Sequence, residues 1–161
     1  MQEAAADRKQ LQLLREVDDL VRTAQTPDQG LACVARLLRD RVRRYTWIGF
    51  YRLNGDRLEL GPHTDPDHPP HPAAVPPHAG PRGLAAASGA TVLVPDLRRD
   101  PRWLACPASA RAEIVVPIQD GGFVRGEIDV DSKRVNGFTR HDRRFLETLA
   151  ERLLPLFRHW G

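Results

Sequence analysis

Apolar positions near the N-terminus recur with the spacing of helices. Within residues 7–24, leucine and valine return every three or four positions, which predicts an amphipathic helix. A second helix is predicted to begin at Thr26, because Thr26 can cap it, Pro27 suits its first turn, and Gln29 stands where a capping box needs it. Residues 7–43 are therefore expected to form two N-terminal helices.

After residue 44 the pattern becomes that of strands. The run YTWIGFYRL (45–53) is aromatic and apolar on both faces, as in a central strand. The turn NGD (54–56) returns the chain into a second strand over 57–61. The remaining predicted elements are a short helix over 84–89, a strand over 91–96, a hairpin over 111–131 and a helix over 139–158. This order predicts an α+β domain with a mostly antiparallel sheet and helices packed on one face.

Residues 62–83 are dense in proline and contain four of the six histidines of the chain. We interpret this segment as a lid loop over a pocket, because long loops inside a compact domain are usually functional or disordered. A metal site is an alternative, and its candidate ligands are His63, Asp65, Asp67, His68, His71 and His78. Their spacing fits no established metal motif, so we predict no metal and no other cofactor.

Composition and charge narrow the class of protein. The chain has 161 residues, enough for one domain spanning 1–161, and its hydrophobic content of 41% is ordinary for a globular protein. The net charge is +3, and acidic residues interrupt every arginine cluster, which favours a solvated surface over nucleic-acid binding. No apolar run approaches the roughly 20 residues of a membrane span. We predict a cytoplasmic protein without a membrane partner, whose two cysteines are reduced thiols.

The hairpin over 111–131 carries an acidic face. A three-residue loop over 120–122 would pair Gln119 with Phe123 and keep the apolar residues of both strands on one side. The opposite face would then hold Arg111, Glu113, Val115, Pro117, Phe123, Glu127, Asp129 and Asp131, with Glu113 across from Asp129 and Arg111 across from Asp131. Opposed carboxylates repel unless a cation, a ligand or a shared proton intervenes. Since apolar residues lie among them, the face is a pocket candidate with at least one raised carboxyl pKa.

Cys106 lies just before this hairpin and allows two interpretations. Free cysteines are often buried apolar fillers, but a thiol beside a covered acidic face is also a candidate nucleophile. Cys33 falls among apolar residues of the second predicted helix, so we expect it to be packed rather than catalytic. The residue pattern alone leaves both readings of Cys106 open.

Several segments together resemble the free methionine-(R)-sulfoxide reductases, a branch of the GAF domains. They are YTWIGFYRL, LGP, GLAAASGATVLVPD, ACPASARAEIVVPI and GEIDVDSKRVNGFTRHDRRFLETL, in consistent order from Tyr45 to Leu149. The resemblance implies a six-stranded GAF sheet and a homodimer. It also implies attack of a cysteine thiolate on the sulfur of free methionine sulfoxide. The resulting sulfenic acid would be resolved by a second cysteine, and the disulfide reduced by thioredoxin.

The resemblance also assigns residues. It implies Cys106 as the attacking thiol, and it matches Glu113, Asp129 and Asp131 to acids that hold the substrate ammonium and assist the sulfoxide oxygen. The catalytic set is then Cys106, Glu113 and Asp131; the substrate-binding set is Trp47, Tyr51, Glu113, Asp129 and Asp131; Arg82 and Ser109 line the pocket. A raised carboxyl pKa suits this chemistry, because the leaving oxygen must be protonated.

The sequence departs from the family at both resolving positions. Arg82 stands in GPRGLAAASG and Ala74 in HPAAV, where members of the family carry cysteines. We therefore expect a small thiol or thioredoxin to attack the sulfenic acid directly, with a free amino acid or similar small ligand in the pocket. The alternative is a GAF module that binds a small molecule without turnover, and Arg82 would either support the thiolate or plug the pocket.

Overall fold

The computed structural model describes residues 1–65, 73–76, 78–101 and 110–161. Its elements, in chain order, are α1 (Gln2–Thr23), α2 (Pro27–Arg41), β1 (Trp47–Asn54), β2 (Arg57–His63), β3 (Ala74–Val75), α3 (Gly80–Ser88), β4 (Val92–Val94), β5 (Ala112–Asp120), β6 (Phe123–Ser132) and α4 (Arg140–Arg158). Within these residues, no helix has the length and apolar content needed to cross a membrane.

The strands form one six-stranded sheet in the order β3-β2-β1-β6-β5-β4, and every neighbouring pair is antiparallel. Helices α1, α2 and α4 cover one face, where their apolar residues form a buried core with alternate residues of β1, β5 and β6. Helix α3 lies against the other face and contacts β4, β5 and β6. The predicted α+β class, with a six-stranded antiparallel sheet and terminal helices on one side, is confirmed.

Local capping explains where the helices begin. The Thr26 side chain accepts the N–H of Gln29 at 3.1 Å, as predicted, while Gln29 Oε1 accepts the N–H of Gln25 rather than that of Thr26. Thr139 and Asp142 complete a capping box at the start of α4. Helix α1 begins at Gln2, five positions before the predicted 7, because alanines fill the intervening positions and favour helix.

The predicted hairpin loop was wrong. The turn between β5 and β6 has two residues, Gly121 and Gly122, both at positive φ, and Asp120 pairs with Phe123. An irregularity beside Ile118 then adds one residue to the outgoing strand, so the apolar residues of both strands still share one face. The tight turn shifts the register and leaves Phe123 at the tip, 76% exposed rather than covered.

The register shift changes the predicted pairs. Glu113 lies across from Asp131, not from Asp129, and Asp129 lies across from Val115. Arg111 precedes β5 and pairs with Asp96 instead of standing across from Asp131; its Nη2 lies 3.4 Å from Asp96 Oδ2. The same carboxylates nevertheless share one face, because the register moved by an even number of residues.

The predicted lid loop over 62–83 contains regular structure at both ends. Strand β2 continues to His63, β3 pairs with β2, and α3 begins at Gly80 rather than at residue 84. Gly80 has a φ of 64° and Pro81 occupies the first turn of α3, which suits a helix start. Residues 66–72 and 77 lie outside the described part of the chain, and with them three candidate metal ligands: Asp67, His68 and His71.

Candidate functional site: a buried acidic cluster

The face opposite the core is organised by three rungs across β1, β6 and β5. Alternation along β6 sends Ile128 and Val130 into the core and turns the intervening acidic residues to the other side. The rungs are Trp47–Asp131–Glu113, Gly49–Asp129–Val115 and Tyr51–Glu127–Pro117. Strand β6 therefore contributes three acids at alternate positions to this face, and β5 contributes Glu113.

Glu113, Asp129 and Asp131 form a buried acidic cluster. Each side chain offers a carboxylate oxygen that lies within 4.8 Å of the others, and all three residues are buried. Burial raises the pKa of Glu113 well above its usual value, and Asp129 and Asp131 raise it further, while Arg82 lowers it. The arrangement favours the protonated form of Glu113, which is the form that can donate a hydrogen bond or a proton.

Glu127 extends the acidic row but was not predicted as a site residue. It is fully buried, and neither carboxylate oxygen has a hydrogen-bond partner among the described residues. Burial raises its pKa well above the usual value, with a further contribution from Asp129. Its position two residues before Asp129 on the same face was the sequence signal that could have identified it.

Helix α3 places Arg82 against this cluster. Its Nη1 donates to Asp129 Oδ2 at 3.2 Å and to the Tyr51 hydroxyl at 3.3 Å, and the residue is 6% exposed. Burial opposes the guanidinium charge, but Asp129 and Glu113 outweigh it, so the pKa of Arg82 rises above its usual value. The predicted pocket position of Arg82 thus corresponds to an ion pair with one member of the cluster.

Aromatic side chains form the wall beside the acids. Trp47 and Tyr51 are buried with Leu58 and Val75 in a small apolar cluster over β1, β2 and β3. The Tyr51 ring lies 5.5 Å from the Arg82 guanidinium carbon, in cation–π geometry. Burial and Asp129 raise the pKa of Tyr51, which keeps its hydroxyl protonated. Apolar walls around carboxylates are suited to a ligand with one apolar and one cationic end.

Not every predicted site residue can be placed. Cys106 and Ser109 lie in 102–109, outside the described residues. Cys33 is a half-buried free thiol on α2, which joins the core on the opposite face of the sheet.

The acidic cluster also has the chemistry of a hard-cation site. Its three carboxylates offer the oxygen ligands that Mg²⁺ and Ca²⁺ prefer. None of these three acids was among the predicted metal ligands, which lie between His63 and His78. Of these, His63 is accounted for by Gly61, whose carbonyl oxygen lies 2.9 Å from His63 Nδ1.

Comparison with known proteins agrees with this fold. The model of the GAF domain family matches residues 26–153. The chain belongs to the GAF domain family.

Its relatives include proteins named as reductases and proteins named only for the domain. The free methionine-R-sulfoxide reductase of Escherichia coli is 31% identical over 123 residues, covering 76% of this chain and 73% of that protein. The free methionine-R-sulfoxide reductase of Neisseria meningitidis, solved with its substrate, superposes with a TM-score of 0.84 at 30% identity over 93% of this chain and 89% of that one. GAF domain-containing protein A of Dictyostelium discoideum is 28% identical over 142 residues, 88% of this chain and 87% of that protein. These comparisons confirm the resemblance stated from the sequence.

Proposed function

We propose that this protein reduces free methionine-(R)-sulfoxide in the pocket lined by the acidic cluster. The observation that carries the proposal is the meeting of Glu113, Asp129 and Asp131, three buried carboxylates within 4.8 Å of one another beside an aromatic wall. A free amino acid brings an ammonium group that such carboxylates attract, and a methyl group that suits Trp47 and Tyr51. Relatives named free methionine-R-sulfoxide reductases support the same substrate.

The proposed chemical step uses Cys106. Its thiolate attacks the substrate sulfur and forms a sulfur–sulfur bond. The protonated oxygen then moves to the cysteine sulfur as the substrate sulfur–oxygen bond and the new sulfur–sulfur bond both break. The products are methionine and a Cys106 sulfenic acid, so the substrate sulfur gains the two electrons that the cysteine sulfur loses. Glu113 serves as the proton donor to the sulfoxide oxygen, a role that its raised pKa supports. Asp131, its neighbour across the strands, shares this role, and Asp129 contributes to ammonium binding.

Recycling of the sulfenic acid is proposed to need an external reductant. A first thiol condenses with the sulfenic acid and releases water, and a second thiol reduces the mixed disulfide to regenerate Cys106. Thioredoxin or a small thiol would supply both, because Arg82 and Ala74 occupy the two positions where the family carries resolving cysteines. A homodimer in the cytoplasm remains part of this proposal.

Mass spectrometry of the reduced protein after one dose of free methionine-(R)-sulfoxide, with a sulfenic-acid trap, tests the step. We expect one trapped oxygen equivalent on Cys106 and one equivalent of methionine released. Cys106→Ser should abolish both signals, whereas the matched Cys33→Ser should leave both intact. Oxidation of Cys33 alone, or no oxidation of either thiol, would contradict the proposed reaction.

One observation favours a second candidate function, a GAF module that binds a small molecule without turnover. Arg82 already pairs with Asp129, so a ligand meets a cluster that is partly neutralised. In that case calorimetry would detect methionine or a related ligand, while the trap would find no sulfenic acid on Cys106. The two functions therefore predict the same binding and opposite oxidation results.

A further inference from the structure

Arg82 is held against the acidic cluster by the construction of α3. Gly80 takes the positive φ of 64° that begins the helix, and Pro81 fixes its first turn. A Cβ at position 83 would lie 2.7 Å from the carbonyl carbon of His78, so only glycine lets the helix approach the preceding segment this closely. The backbone around Arg82 is therefore constrained, and its side chain is buried against Asp129.

The hydrogen bonds of the guanidinium are incomplete. Both recorded bonds, to Asp129 and to Tyr51, use Nη1, and each exceeds 3.1 Å. The Nε–H is buried and has no partner among the residues that the structure describes. An unpaired buried donor costs about 1–3 kcal/mol, and more when it is charged. This edge of the guanidinium fork is thus available to an acceptor that the described residues do not supply.

The charges around this edge suit a ligand that carries both signs. Arg82 faces Asp129 directly, and Glu113, Asp131 and Tyr51 also act on its charge. Glu127, the fourth acid of the row, acts on Asp129 and Arg82 from the same face. A guanidinium beside a group of carboxylates can receive an anionic group while the carboxylates receive a cationic one. A zwitterion such as a free amino acid presents both groups on one carbon atom.

We propose that Arg82 receives the α-carboxylate of the ligand through its free Nε edge, and so restricts the pocket to free amino acids. The inference rests on the proposed function for the identity of the ligand. Arginine is suited to this role, because its planar fork matches the two oxygens of a carboxylate. The ion pair with Asp129 then orients the guanidinium instead of plugging the pocket.

Calorimetry on the reduced full chain tests this assignment without any redox step. The probes are methionine and its decarboxylated analogue, which keeps the ammonium and the thioether but lacks the carboxylate. We expect the native protein to bind methionine at least about 30-fold more tightly than the analogue, the loss typical of removing one partner from a buried charge pair. Arg82→Gln should weaken the binding of methionine by a similar factor and leave the affinity for the analogue within about threefold of the native value. The preference for methionine would then be lost.

Two further variants keep the test decisive. Arg57→Gln, at the exposed start of β2, removes an arginine far from the cluster and should preserve the preference for methionine. Arg82→Lys keeps the charge beside Asp129 but lacks the planar guanidinium fork, so it should weaken the binding of methionine by about tenfold. If Arg82→Gln unfolds, Arg82→Lys decides the question, because native affinity for methionine in that variant would overturn the proposal.

The outcomes separate this inference from the proposed function. Equal or tighter methionine binding by Arg82→Gln would mean that Arg82 plugs the pocket, which overturns the inference even if Cys106 is oxidised by the sulfoxide. An Arg82-dependent preference without oxidation of Cys106 would support the inference and remove the enzyme. Failure of the native protein to bind either probe would overturn the inference, and oxidation of Cys106 would then decide the proposed function alone.

Discussion

Both faces of the sheet are buried, but one is lined by apolar side chains and the other by acidic side chains between apolar clusters. On the face covered by α1, α2 and α4, strand residues such as Ile114, Val116 and Ile128 pack in a continuous apolar core. On the face covered by α3, apolar residues gather in two small clusters, one around Trp47 and one around Val94. The buried acids occupy the space between these two clusters.

The contrast shows which face serves stability. A dry apolar face stabilises the folded state because it removes apolar surface from water. Each buried polar atom without a hydrogen-bond partner instead lowers the stability by about 1–3 kcal/mol. Within the described residues, the acidic face retains such atoms on Glu113, Glu127, Asp129 and Arg82. Buried polar groups kept at that cost are typical of a ligand-binding site. The apolar face therefore stabilises the sheet, and the acidic face provides the candidate site.

The largest expected difference between the faces comes from two neighbouring valines of β5. Val116 lies in the apolar core, whereas Val115 faces Asp129 and belongs to none of the apolar clusters of described residues. Val116→Ala should lower the free energy of unfolding by about 2–3 kcal/mol, since it loses buried area and leaves a dry cavity. Val115→Ala should cost at least about 1 kcal/mol less, because water can fill a polar space.

Urea denaturation followed by circular dichroism measures both values. The pair is its own control, since both residues are buried valines of the same strand. Equal losses in the two variants would mean that the acidic face is as dry and closely packed as the core. The proposed pocket would then lack the space that a ligand requires.

Much of the fold was predictable from sequence because its signals are local. Thr26 and Pro27 indicate the start of α2, because helix capping depends only on residues that are close in sequence. The alternation of acids with Ile128 and Val130 fixes which residues of β6 share a face, whatever the register. For the same reason the face shared by Glu113, Asp129 and Asp131 was predicted correctly although the hairpin loop was not.

Features that depend on packing were not predictable in the same way. The number of turn residues at Gly121 and Gly122 sets the register, and both a two-residue and a three-residue turn accept this sequence. The burial of Glu127 follows from the cover above the sheet rather than from its neighbours in sequence. Arg82 could be placed in the pocket by resemblance, but its partners depend on how α3 docks.

Two glycines, one on each face of the sheet, allow a second comparison of the faces by substitution with alanine. A Cβ at Gly49 would collide with the indole of Trp47 on the acidic face, and a Cβ at Gly61 would collide with the indole of Trp160 on the core face. Gly49→Ala should displace the aromatic wall and weaken methionine binding by about tenfold or more. Gly61→Ala should cost about 1–3 kcal/mol in stability but leave methionine affinity within about threefold.

Calorimetry with methionine and thermal unfolding report the two effects separately. Each alanine brings the same methyl group against an indole, so any difference in affinity reflects the face and not the size of the change. Weaker methionine binding in Gly61→Ala than in Gly49→Ala would reverse the assignment of the two faces.

The pH dependence of stability carried by Glu127 offers a further test of the contrast between the two faces. Its folded pKa lies above the ordinary value of 4.5, so the folded state keeps a proton that the unfolded chain releases. The stabilisation is therefore complete below pH 4.5 and is lost as the pH rises towards the folded pKa, by up to about 1.4 kcal/mol per pH unit. Glu127→Gln removes this loss, so urea denaturation should show the variant gaining stability over the native protein as the pH rises.

Glu59 offers a control of opposite sign on the same sheet. It pairs with Arg52 at the surface, and the hydrogen bond from Arg52 holds its pKa below the ordinary value. Its contribution to stability is therefore present above the ordinary pKa and lost as the pH falls. Glu59→Gln should accordingly lose stability relative to the native protein as the pH rises, by a small amount because solvent screens the pair. Parallel pH curves for Glu127→Gln and the native protein would show that Glu127 is solvated, and the acidic face would then be an open surface instead of a covered pocket.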